Sequence, residues 1–563
     1  MKLSAALLLG MTALAHADDA HRPLVGRSLV TTRYGIVASS QPLAARAGTL
    51  ILERGGNAVD AAIATNAAVG VMEPAMNGVG GDLFVLYWDA KAAKLYGLNA
   101  SGWAPTGLTP ALVASKGVSS MPRDGAFSVT VPGAVAGWQA LRDKFGTKPL
   151  SELLAPAIHY ANEGFPVGEI TAQEWAAASG RVSSKAAART YLPEGRPPVA
   201  GQVFKNPDLA RTLSRVAEQG RDGFYKGATA EAIVGTLREA GGTMTAQDLA
   251  ELQAEWVEPI STTYRGWTVS EIPPNTQGIA ALMMLRIMEG FPLGEWGFHS
   301  PRALHAMIEA KKLAYADMLR YVADPRFGPV PVAPLLDPAR AARRAKQIDM
   351  AKASCDVAPD RLAGLTDAKG GDTIYLTVVD KDGNIVSLIQ SVFSAFGSGI
   401  VPEGLGFALH NRGGLFTLEA NHPNTLAPRK RPLHTIIPGF MQKDGVQIGF
   451  GIMGGFNQAQ AHAQFVAGIA DYGFTLQEAL EAGRFTKLTF EGCDVQVEAL
   501  VPEKTSMELE KLGHKLLAVP PRHGNFGWGQ AVMARPDGVH FGASEPRHDG
   551  AAIPQSPPVF GNR

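Results

Sequence analysis

Apolar residues recur at helical spacing through the first part of the chain. The stretch 41–55 carries them three and four positions apart and ends at a Gly-Gly pair. Asn57 is suited to cap a second helix over 58–72, which is apolar on nearly every side and is therefore predicted to be buried. The stretch 179–198, which mixes Ser, Ala, Arg and Pro, is predicted to be a surface excursion. Further helical patterns cover 131–145, 150–164, 229–240 and 301–320.

Two parts of the chain have the pattern of β-strands. Residues 82–98 predict two strands, DLFVLYWD and AKLYGL, separated by a turn. The clearer signal is TIYLTVVD over 373–380 and NIVSLIQSV over 384–392, which a Lys-Asp-Gly turn joins into a hairpin. The stretch 354–371 before this hairpin is polar, rich in glycine and aspartate, and without periodicity. We predict that it is a mobile loop that ends at the start of a core strand.

The N-terminus has the pattern of a secretory signal. Lys2 is followed by an apolar run over 3–14 and then by the cleavage-site pattern Ala15-His16-Ala17. The alternative is a lone membrane anchor, but the run is well short of the ~20 residues that cross a bilayer. Residues 1–17 are therefore predicted to be a signal peptide. The mature protein is expected in the periplasm or outside the cell, with no membrane association after signal removal.

Composition and charge exclude several classes of protein. The 563 residues carry 52 Lys and Arg against 52 Asp and Glu, and this balance argues against a basic nucleic-acid-binding protein. With 46% hydrophobic and 18% charged residues, the chain is not disordered. Two cysteines exclude a disulfide scaffold and a cysteine-based zinc site. Cys355 and Cys493 could pair after export, but the sequence gives no geometry for that bond.

The chain lacks the catalytic motifs of several common enzyme classes. The chain has no phosphate-binding P-loop, no H-E-x-x-H zinc motif and no G-x-S-x-G nucleophile elbow. Gly-Val-Gly-Gly at 78–81 lacks the strand-first pattern of a dinucleotide site. His434 and His462 have no partner at metal-ligand spacing. We therefore expect neither a metal nor a cofactor.

The remaining candidate is the Asp372-Thr373 pair at the start of the hairpin. A threonine hydroxyl is a weak nucleophile and needs a base. If the threonine is the first residue of a chain, its own α-amine can serve, because the pKa of such an amine is about 7.7–8.0. Creating that amine requires cleavage between Asp372 and Thr373. A flexible loop that ends at a core strand suits such a cut.

The segment GDTIYLTVVDKDGN at 371–384 resembles the autocleavage segment of the γ-glutamyltranspeptidase family of N-terminal-nucleophile (Ntn) hydrolases. Six further segments resemble that family's motifs in the same order, so that the resemblance spans nearly the whole mature chain. They are NAVDAA at 57–62, VPGAVAG at 131–137, FGSGIV at 396–401, KRP at 430–432, GG at 454–455 and GASEPR at 542–547.

The resemblance implies an α/β fold, the four-layer αββα sandwich of Ntn hydrolases, formed as a single domain by two subunits. These would be a large subunit, 18–372, and a small catalytic subunit, 373–563, from one precursor, with a higher oligomer left open. The resemblance implies autocleavage before Thr373, attack of Thr373 on an amide carbonyl and an acyl-enzyme intermediate. The substrate would be a small-molecule amide, with no nucleic acid as partner.

The resemblance also implies roles for residues around the nucleophile. The backbone N–H groups of Gly454 and Gly455 match the family's oxyanion-hole pair, although a plain tight turn would also explain two glycines. Ser391 matches a hydroxyl residue that hydrogen-bonds the nucleophile, or it is an ordinary strand serine. Thr377, on the same strand face as Thr373, either assists or packs.

The sequence departs from the family where the family binds a glutamyl group. Ser101 replaces an arginine that holds the α-carboxylate, and Phe393 and Leu415 replace the asparagine and aspartate that meet the α-ammonium. Arg412 replaces a glutamine beside Asn411. The segment after K-R-P-L, where the family has a serine pair, contains His434 and Thr435, and we count these two residues and Asn411 among the substrate-binding candidates.

The different charges at these glutamyl-binding positions suggest an acyl group other than glutamyl. An ammonium buried without a counter-ion would cost several kcal/mol, whereas arginine suits bidentate binding of a carboxylate. The hypothesis is an acyl group with a carboxylate and no α-amine, as in the cephalosporin (glutaryl) acylase-like and oxamate amidohydrolase branch. Arg412 could instead pair with a protein carboxylate such as Glu403. The chain could also be a glutathione hydrolase that acts on γ-glutamyl amides, or a processed but inactive binding protein.

Overall fold

The computed structural model describes residues 22–23, 25–182, 184–358, 372–520 and 524–558. The predicted signal peptide, 1–17, and most of the predicted loop before Asp372 lie outside these residues. Among the residues described, no helix is both long enough and apolar enough to cross a bilayer.

Nineteen strands form in the described residues. They are β1 (Val30–Thr32), β2 (Ile36–Ser39), β3 (Asp82–Asp89), β4 (Lys94–Ala100), β5 (Phe165–Pro166), β6 (Val203–Phe204), β7 (Glu255–Val257), β8 (Ile260–Tyr264), β9 (Trp267–Glu271), β10 (Asp372–Val379), β11 (Ile385–Phe393), β12 (Gly439–Lys443), β13 (Val446–Ile452), β14 (Phe485–Thr486), β15 (Asp494–Glu498), β16 (Lys515–Val519), β17 (Gly529–Ala534), β18 (His540–Ser544) and β19 (Ala551–Pro554).

The described residues also form nineteen α-helices. They are α1 (Pro42–Glu53), α2 (Ala58–Met72), α3 (Pro110–Ser115), α4 (Ala134–Phe145), α5 (Leu150–Glu163), α6 (Glu169–Ala178), α7 (Lys185–Tyr191), α8 (Pro207–Gln219), α9 (Asp222–Tyr225), α10 (Gly227–Glu239), α11 (Ala246–Ala250), α12 (Gly278–Met288), α13 (Leu293–Trp296), α14 (Pro301–Tyr321), α15 (Val332–Leu335), α16 (Pro338–Ala345), α17 (Gln458–Ala470), α18 (Leu476–Glu481) and α19 (Glu503–Lys511).

Two antiparallel seven-stranded sheets form the centre of the protein. One has the order β1-β18-β17-β13-β12-β9-β8, and the other has the order β19-β2-β10-β11-β3-β4-β7. An apolar cluster that includes Phe84, Tyr375, Phe440 and Val532 lies between the sheets. A second cluster joins the β10 sheet to α1, α2 and α5, and a third joins the β13 sheet to α12, α14 and α17. The order of layers is therefore αββα, which confirms the predicted fold.

Helix α2 forms over the predicted residues, with the predicted cap at Asn57. The Asn57 side chain accepts from the Asp60 N–H, and the Asp60 carboxylate accepts from the Asn57 N–H, which is a complete capping box. Fourteen of the fifteen residues of α2 are buried, because α1 and α5 flank the helix and β10 lies beneath it. The predicted helices over 41–55 and 301–320 are likewise confirmed, as α1 and α14.

The predicted hairpin is also confirmed, with β10 and β11 as central strands of their sheet. Ile374, Leu376 and Val378 face the helical layer, whereas Tyr375 and Val379 face the other sheet. Since side chains alternate along a strand, Thr373 shares the face between the sheets. The pairing shifts at this point, because Asp372 is opposite Phe393 but Ile374 is opposite Gln390. Such bulges re-aim side chains next to active sites.

The stretch 179–198 differs from the predicted surface excursion. It contains helix α7, whose Ala187 and Tyr191 are buried in the core. The Tyr191 ring packs against Phe396 with 4.8 Å between ring centroids. The prediction was wrong for this part because the apolar partners of α7 are distant in sequence.

The strands on either side of the Asp372-Thr373 bond interleave in both sheets. In one sheet β10 and β11 lie between β2 and β3, and in the other four late strands lie between β1 and β9. A disulfide joins Cys355 to Cys493 across the same division of the chain. The pairing that the sequence left open is therefore present.

Candidate active site

Thr373 lies at the start of β10 and its side chain is buried between the sheets, with 1% of the residue exposed. Its hydroxyl donates to Ser391 Oγ over 3.2 Å. The next threonine on this face, Thr377, donates to the Val386 carbonyl oxygen over 2.9 Å and so stabilises the hairpin. The predicted nucleophile therefore has a fixed hydroxyl.

Ser391 is placed by its pairing with β3 and by a backbone group of its own strand, β11. It pairs in register with Asp82 of β3, and its Oγ accepts from the Phe393 N–H over 2.7 Å. The latter bond lies at the bulge where the β10–β11 register shifts. Ser391 Oγ can therefore hold the Thr373 hydroxyl in one orientation.

Gly454 and Gly455 form the turn between β13 and α17. Their φ values are +120° and +60°, which L side chains rarely adopt, so glycine is required in this turn. A short 3₁₀ turn, Gly455–Asn457, follows and continues into α17. The first N–H groups of a helical segment have no partner within it and lie at its positive end. These two N–H groups are therefore suited to stabilise an oxyanion.

Arg412 is fully buried, and its guanidinium lies over the Phe393 ring at 4.5 Å from the centroid. Nη1 donates to Thr435 Oγ1 over 2.6 Å. Within the described part of the chain, Nε and Nη2 have no hydrogen-bond partner. These two atoms form one edge of the guanidinium, which is the edge that binds a carboxylate bidentately. Burial lowers the pKa of Arg412 to about 9, against the opposing effect of Asp82, so the group is charged near neutral pH.

The pairing of Arg412 with Glu403 is wrong. Glu403 is exposed and its carboxylate accepts from the Arg189 guanidinium instead. Phe393 and Leu415, which stand where the resemblance implies ammonium-binding side chains, are apolar and buried in the core. Ser101 donates to the Asn99 side-chain oxygen over 2.7 Å. The site therefore contains a cationic group, and the apolar side chains of Phe393 and Leu415 offer no counter-ion to an ammonium.

Asp82 is a residue of this site that the sequence did not indicate. Its Oδ2 accepts from His434 Nε2 over 3.0 Å, and its Oδ1 accepts from the Gly102 N–H over 3.0 Å. Burial raises the pKa of Asp82 to about 7, although Arg412 opposes the shift. Burial and the Arg412 charge lower the pKa of His434 and bring that of His410 to about 3. Both imidazoles are therefore neutral near pH 7.

Asn411 has a different environment from Arg412. Its Nδ2 donates to the Arg123 carbonyl oxygen and to Ser394 Oγ, and its Oδ1 accepts from the Ser394 N–H. The side-chain amide is therefore occupied by protein groups. Asn411 therefore holds the loop before Arg412 in place, which is a structural role within the binding site.

Two features lie away from this site. His305, Glu309 and His514 bring three potential metal ligands within 4.8 Å, but the Lys312 ammonium donates to Glu309 over 2.6 Å and already supplies the counter-charge. A cavity of about 390 Å³ lies beside β18 and β19, and Asp549 lines it. No residue predicted for the active site lines this cavity, so it is a separate feature.

The sequence profile described as Gamma-glutamyltranspeptidase matches residues 44–555. The chain belongs to the γ-glutamyltranspeptidase family. The match covers nearly all of the described residues, including Thr373, Ser391, Arg412 and the Gly454-Gly455 turn. The protein is therefore an enzyme of the Ntn-hydrolase type.

Several members of the γ-glutamyltranspeptidase family are similar along almost their whole length. The glutathione hydrolase-like YwrD proenzyme of Bacillus subtilis (strain 168) is 35% identical over 539 residues, which are 94% of this chain and 100% of that protein. The acylase ACY 1 proenzyme of Pseudomonas sp. (strain SE83) is 34% identical over 530 residues, 92% of this chain and 93% of its own. The crystal structure of cephalosporin acylase from Bacillus halodurans superposes with a TM-score of 0.87 and 43% identity, covering 94% of this chain and 97% of that one.

Proposed function

We propose that the chain is an autoprocessing N-terminal-threonine amidohydrolase whose acyl substrate carries a carboxylate and no α-amine. Export through residues 1–17 and cleavage between Asp372 and Thr373 would give subunits 18–372 and 373–563. The observation that carries the proposal is the Arg412 guanidinium, which is buried over Phe393 with one edge free of partners among the described residues. A substrate carboxylate satisfies both of those donors.

The proposed reaction uses the Thr373 hydroxyl, the α-amine that cleavage would release, the two glycine N–H groups and a water molecule. The Thr373 oxygen attacks the amide carbonyl carbon while the Thr373 α-amine accepts the hydroxyl proton. The Gly454 and Gly455 N–H groups stabilise the negative oxygen that forms. The C–N bond then breaks as the amine returns the proton to the leaving nitrogen, which leaves an ester on Thr373. Water attacks this ester with help from the same amine and releases the acid.

The alternative is a glutathione hydrolase that acts on γ-glutamyl amides, and the similarity to a glutathione hydrolase-like protein favours it. Its substrate carries an α-ammonium beside the carboxylate. Phe393 and Leu415, which are buried and apolar, would have to receive that ammonium. An uncompensated buried ammonium costs several kcal/mol, so this substrate is disfavoured.

Three p-nitroanilides that differ only at the α-carbon test the proposal. Glutaryl anilide has the carboxylate alone, γ-glutamyl anilide has both groups and butyryl anilide has neither. We expect kcat/KM for glutaryl anilide to exceed both others by roughly a hundredfold, as loss of an ionic contact or burial of a lone charge costs about 2–3 kcal/mol or more. Equal turnover of glutaryl and γ-glutamyl anilides would refute the proposal.

Two further measurements complete this test. Addition of an amine acceptor such as glycylglycine leaves the product distribution unchanged if the acyl-enzyme reacts with water, as we propose. Mass spectrometry of the exported protein checks both the removal of residues 1–17 and a new N-terminus at Thr373. Absence of turnover for all amides by correctly cleaved protein would instead favour a binding protein.

A further inference from the structure

We propose that Gln277 is a positioning residue that fixes the distance between the oxyanion turn and the carboxylate-binding arginine. This inference rests on the proposed function, because it assigns those two roles to Gly455 and Arg412. Gln277 is fully buried just before helix α12. Its Nε2 donates to the Gly455 carbonyl oxygen over 2.7 Å and also to the Thr435 carbonyl oxygen.

The orientation of the Gln277 amide follows from its partners. Both partners are carbonyl oxygens, which only accept hydrogen bonds, so the NH₂ end of the amide must face them. One planar group therefore uses both of its hydrogens on two separate loops. The backbone of the same residue adds a third link, since the Gln277 N–H donates to the His434 carbonyl oxygen over 2.9 Å.

These bonds connect the two ends of the proposed acyl site. Arg412 Nη1 donates to Thr435 Oγ1, and Gln277 Nε2 donates to the carbonyl oxygen of the same threonine. Gln277 Nε2 also donates to the Gly455 carbonyl oxygen, which completes the connection. Each of these residues is completely buried or nearly so. In the dry interior such bonds are strong and hold their geometry. Among these four residues, Gln277 is therefore the one whose side chain contacts both the loop of Thr435 and the turn of Gly455.

A rigid link between the oxyanion turn and Arg412 would restrict the length of the acyl chain. The scissile carbonyl oxygen must reach the Gly454 and Gly455 N–H groups while the distal carboxylate reaches Arg412. If both anchors are rigidly linked, only acyl chains of one length satisfy them together. Small misplacements of a reacting group cost up to about a hundredfold in rate. Gln277 would thus determine chain-length specificity without contacting the substrate.

The test uses the full-length, processed enzyme and a series of succinyl, glutaryl and adipyl p-nitroanilides. Gln277→Met keeps the side-chain volume but removes both donors. Gln464→Met is the matched control. Gln464 lies on helix α17, and its Nε2 also donates to two backbone carbonyls, that of Gln460 in the same helix and that of Phe485 in β14. Gln277→Asn keeps the amide and shortens the side chain by one methylene.

We expect Gln277→Met to lower kcat on the preferred anilide by roughly tenfold to a hundredfold and to flatten the ratios among the three chain lengths. Gln277→Asn should show the same flattening to a smaller extent, and Gln464→Met should leave the ratios of the wild type. A purely structural role would reduce the amount of folded enzyme but leave the ratios unchanged.

Unchanged ratios in a folded, cleaved Gln277→Met or Gln277→Asn enzyme would overturn the proposal. If neither variant folds while Gln464→Met does, Gln277 serves the fold and the positioning role is wrong. The outcome is separable from that of the proposed function. A wild-type preference for γ-glutamyl anilide refutes the function, whereas the effect of Gln277 is measured relative to the wild type.

Discussion

The hydroxyl of Thr373 donates to Ser391 Oγ over 3.2 Å, although 18 positions separate the two residues in the chain. Ser391 Oγ accepts in turn from the Phe393 N–H, so a backbone group orients the serine that orients the threonine. This arrangement is already present with Thr373 inside β10. The cut that we propose would therefore release an amine next to a hydroxyl that is already in position.

The first prediction concerns this pair. Thr373→Ala should give a single uncut chain with no amidase activity, because both proposed steps use its hydroxyl. Ser391→Ala should retain cleavage but slow amide hydrolysis by about tenfold, the value of one hydrogen bond of about 1.4 kcal/mol. Denaturing gels measure the cleavage and anilide turnover measures the rate. A cleaved Thr373→Ala protein would contradict the assignment of the nucleophile.

The second prediction concerns Arg412. Arg412→Lys keeps the charge but loses bidentate geometry, so kcat/KM for glutaryl anilide should fall by roughly tenfold to a hundredfold. Butyryl anilide, which has no carboxylate, should be hydrolysed at the wild-type rate. Arg412→Met should not lower the unfolding free energy, because it removes a buried cation whose donors are only partly satisfied. A large loss of stability in urea would instead indicate a structural arginine.

The third prediction concerns pH. The pKa of Asp82 is raised to about 7, while His410 and His434 stay neutral and Arg412 stays charged near that pH. Above about pH 7 the ionised Asp82 opposes the field of Arg412 and repels a substrate carboxylate. KM for glutaryl anilide should therefore rise between about pH 6 and pH 8. Asp82→Asn should remove this rise, and a pH-dependent KM in that variant would assign it to another group.

The same shift has a consequence for stability. Because the pKa of Asp82 is higher in the folded than in the unfolded chain, the folded state binds more protons between about pH 4 and pH 7. This group therefore lowers the free energy of unfolding as pH rises through that interval. Urea unfolding at several pH values should show a smaller decline for Asp82→Asn than for the wild type.

The fourth prediction concerns the disulfide between Cys355 and Cys493. After the proposed cut these cysteines belong to different subunits, so the processed enzyme should run as one band on a gel without reductant and as two with it. Cys355→Ser should give two bands under both conditions. One band under both conditions in the wild type would mean that cleavage has failed, and two bands without reductant would mean that the bond is absent.

Local sequence signals predicted the elements that have local causes. Helix α2 was predicted at its observed bounds because its cap and its apolar surface are both contained in the segment. The hairpin β10–β11 was predicted because its turn and alternation are adjacent in sequence. The pairing of Cys355 with Cys493 spans 138 positions and depends on tertiary geometry, which no local pattern encodes.

In the candidate site too, a residue with a signal in the sequence could be predicted, whereas residues that act through distant contacts could not. Arg412 was identified because it departs from the family's pattern and adds a charge where a polar side chain is expected. Asp82 and Gln277 carry no such signal, because an acidic residue at the start of a strand and a glutamine before a helix are both common. Their importance follows from contacts over long sequence separations, such as Asp82 with His434 across 352 positions.

The interleaving of early and late strands in both sheets should prevent two molecules from exchanging their halves. To separate the two halves, the protein would have to break the ladders of β10 with β2 and of β11 with β3 in the interior of one sheet. After the proposed cut, mature molecules should therefore not exchange halves, and each should retain the pair made from its own precursor. When wild-type and inactive protein are mixed after processing, the activity should be the sum of the two, with no hybrids formed.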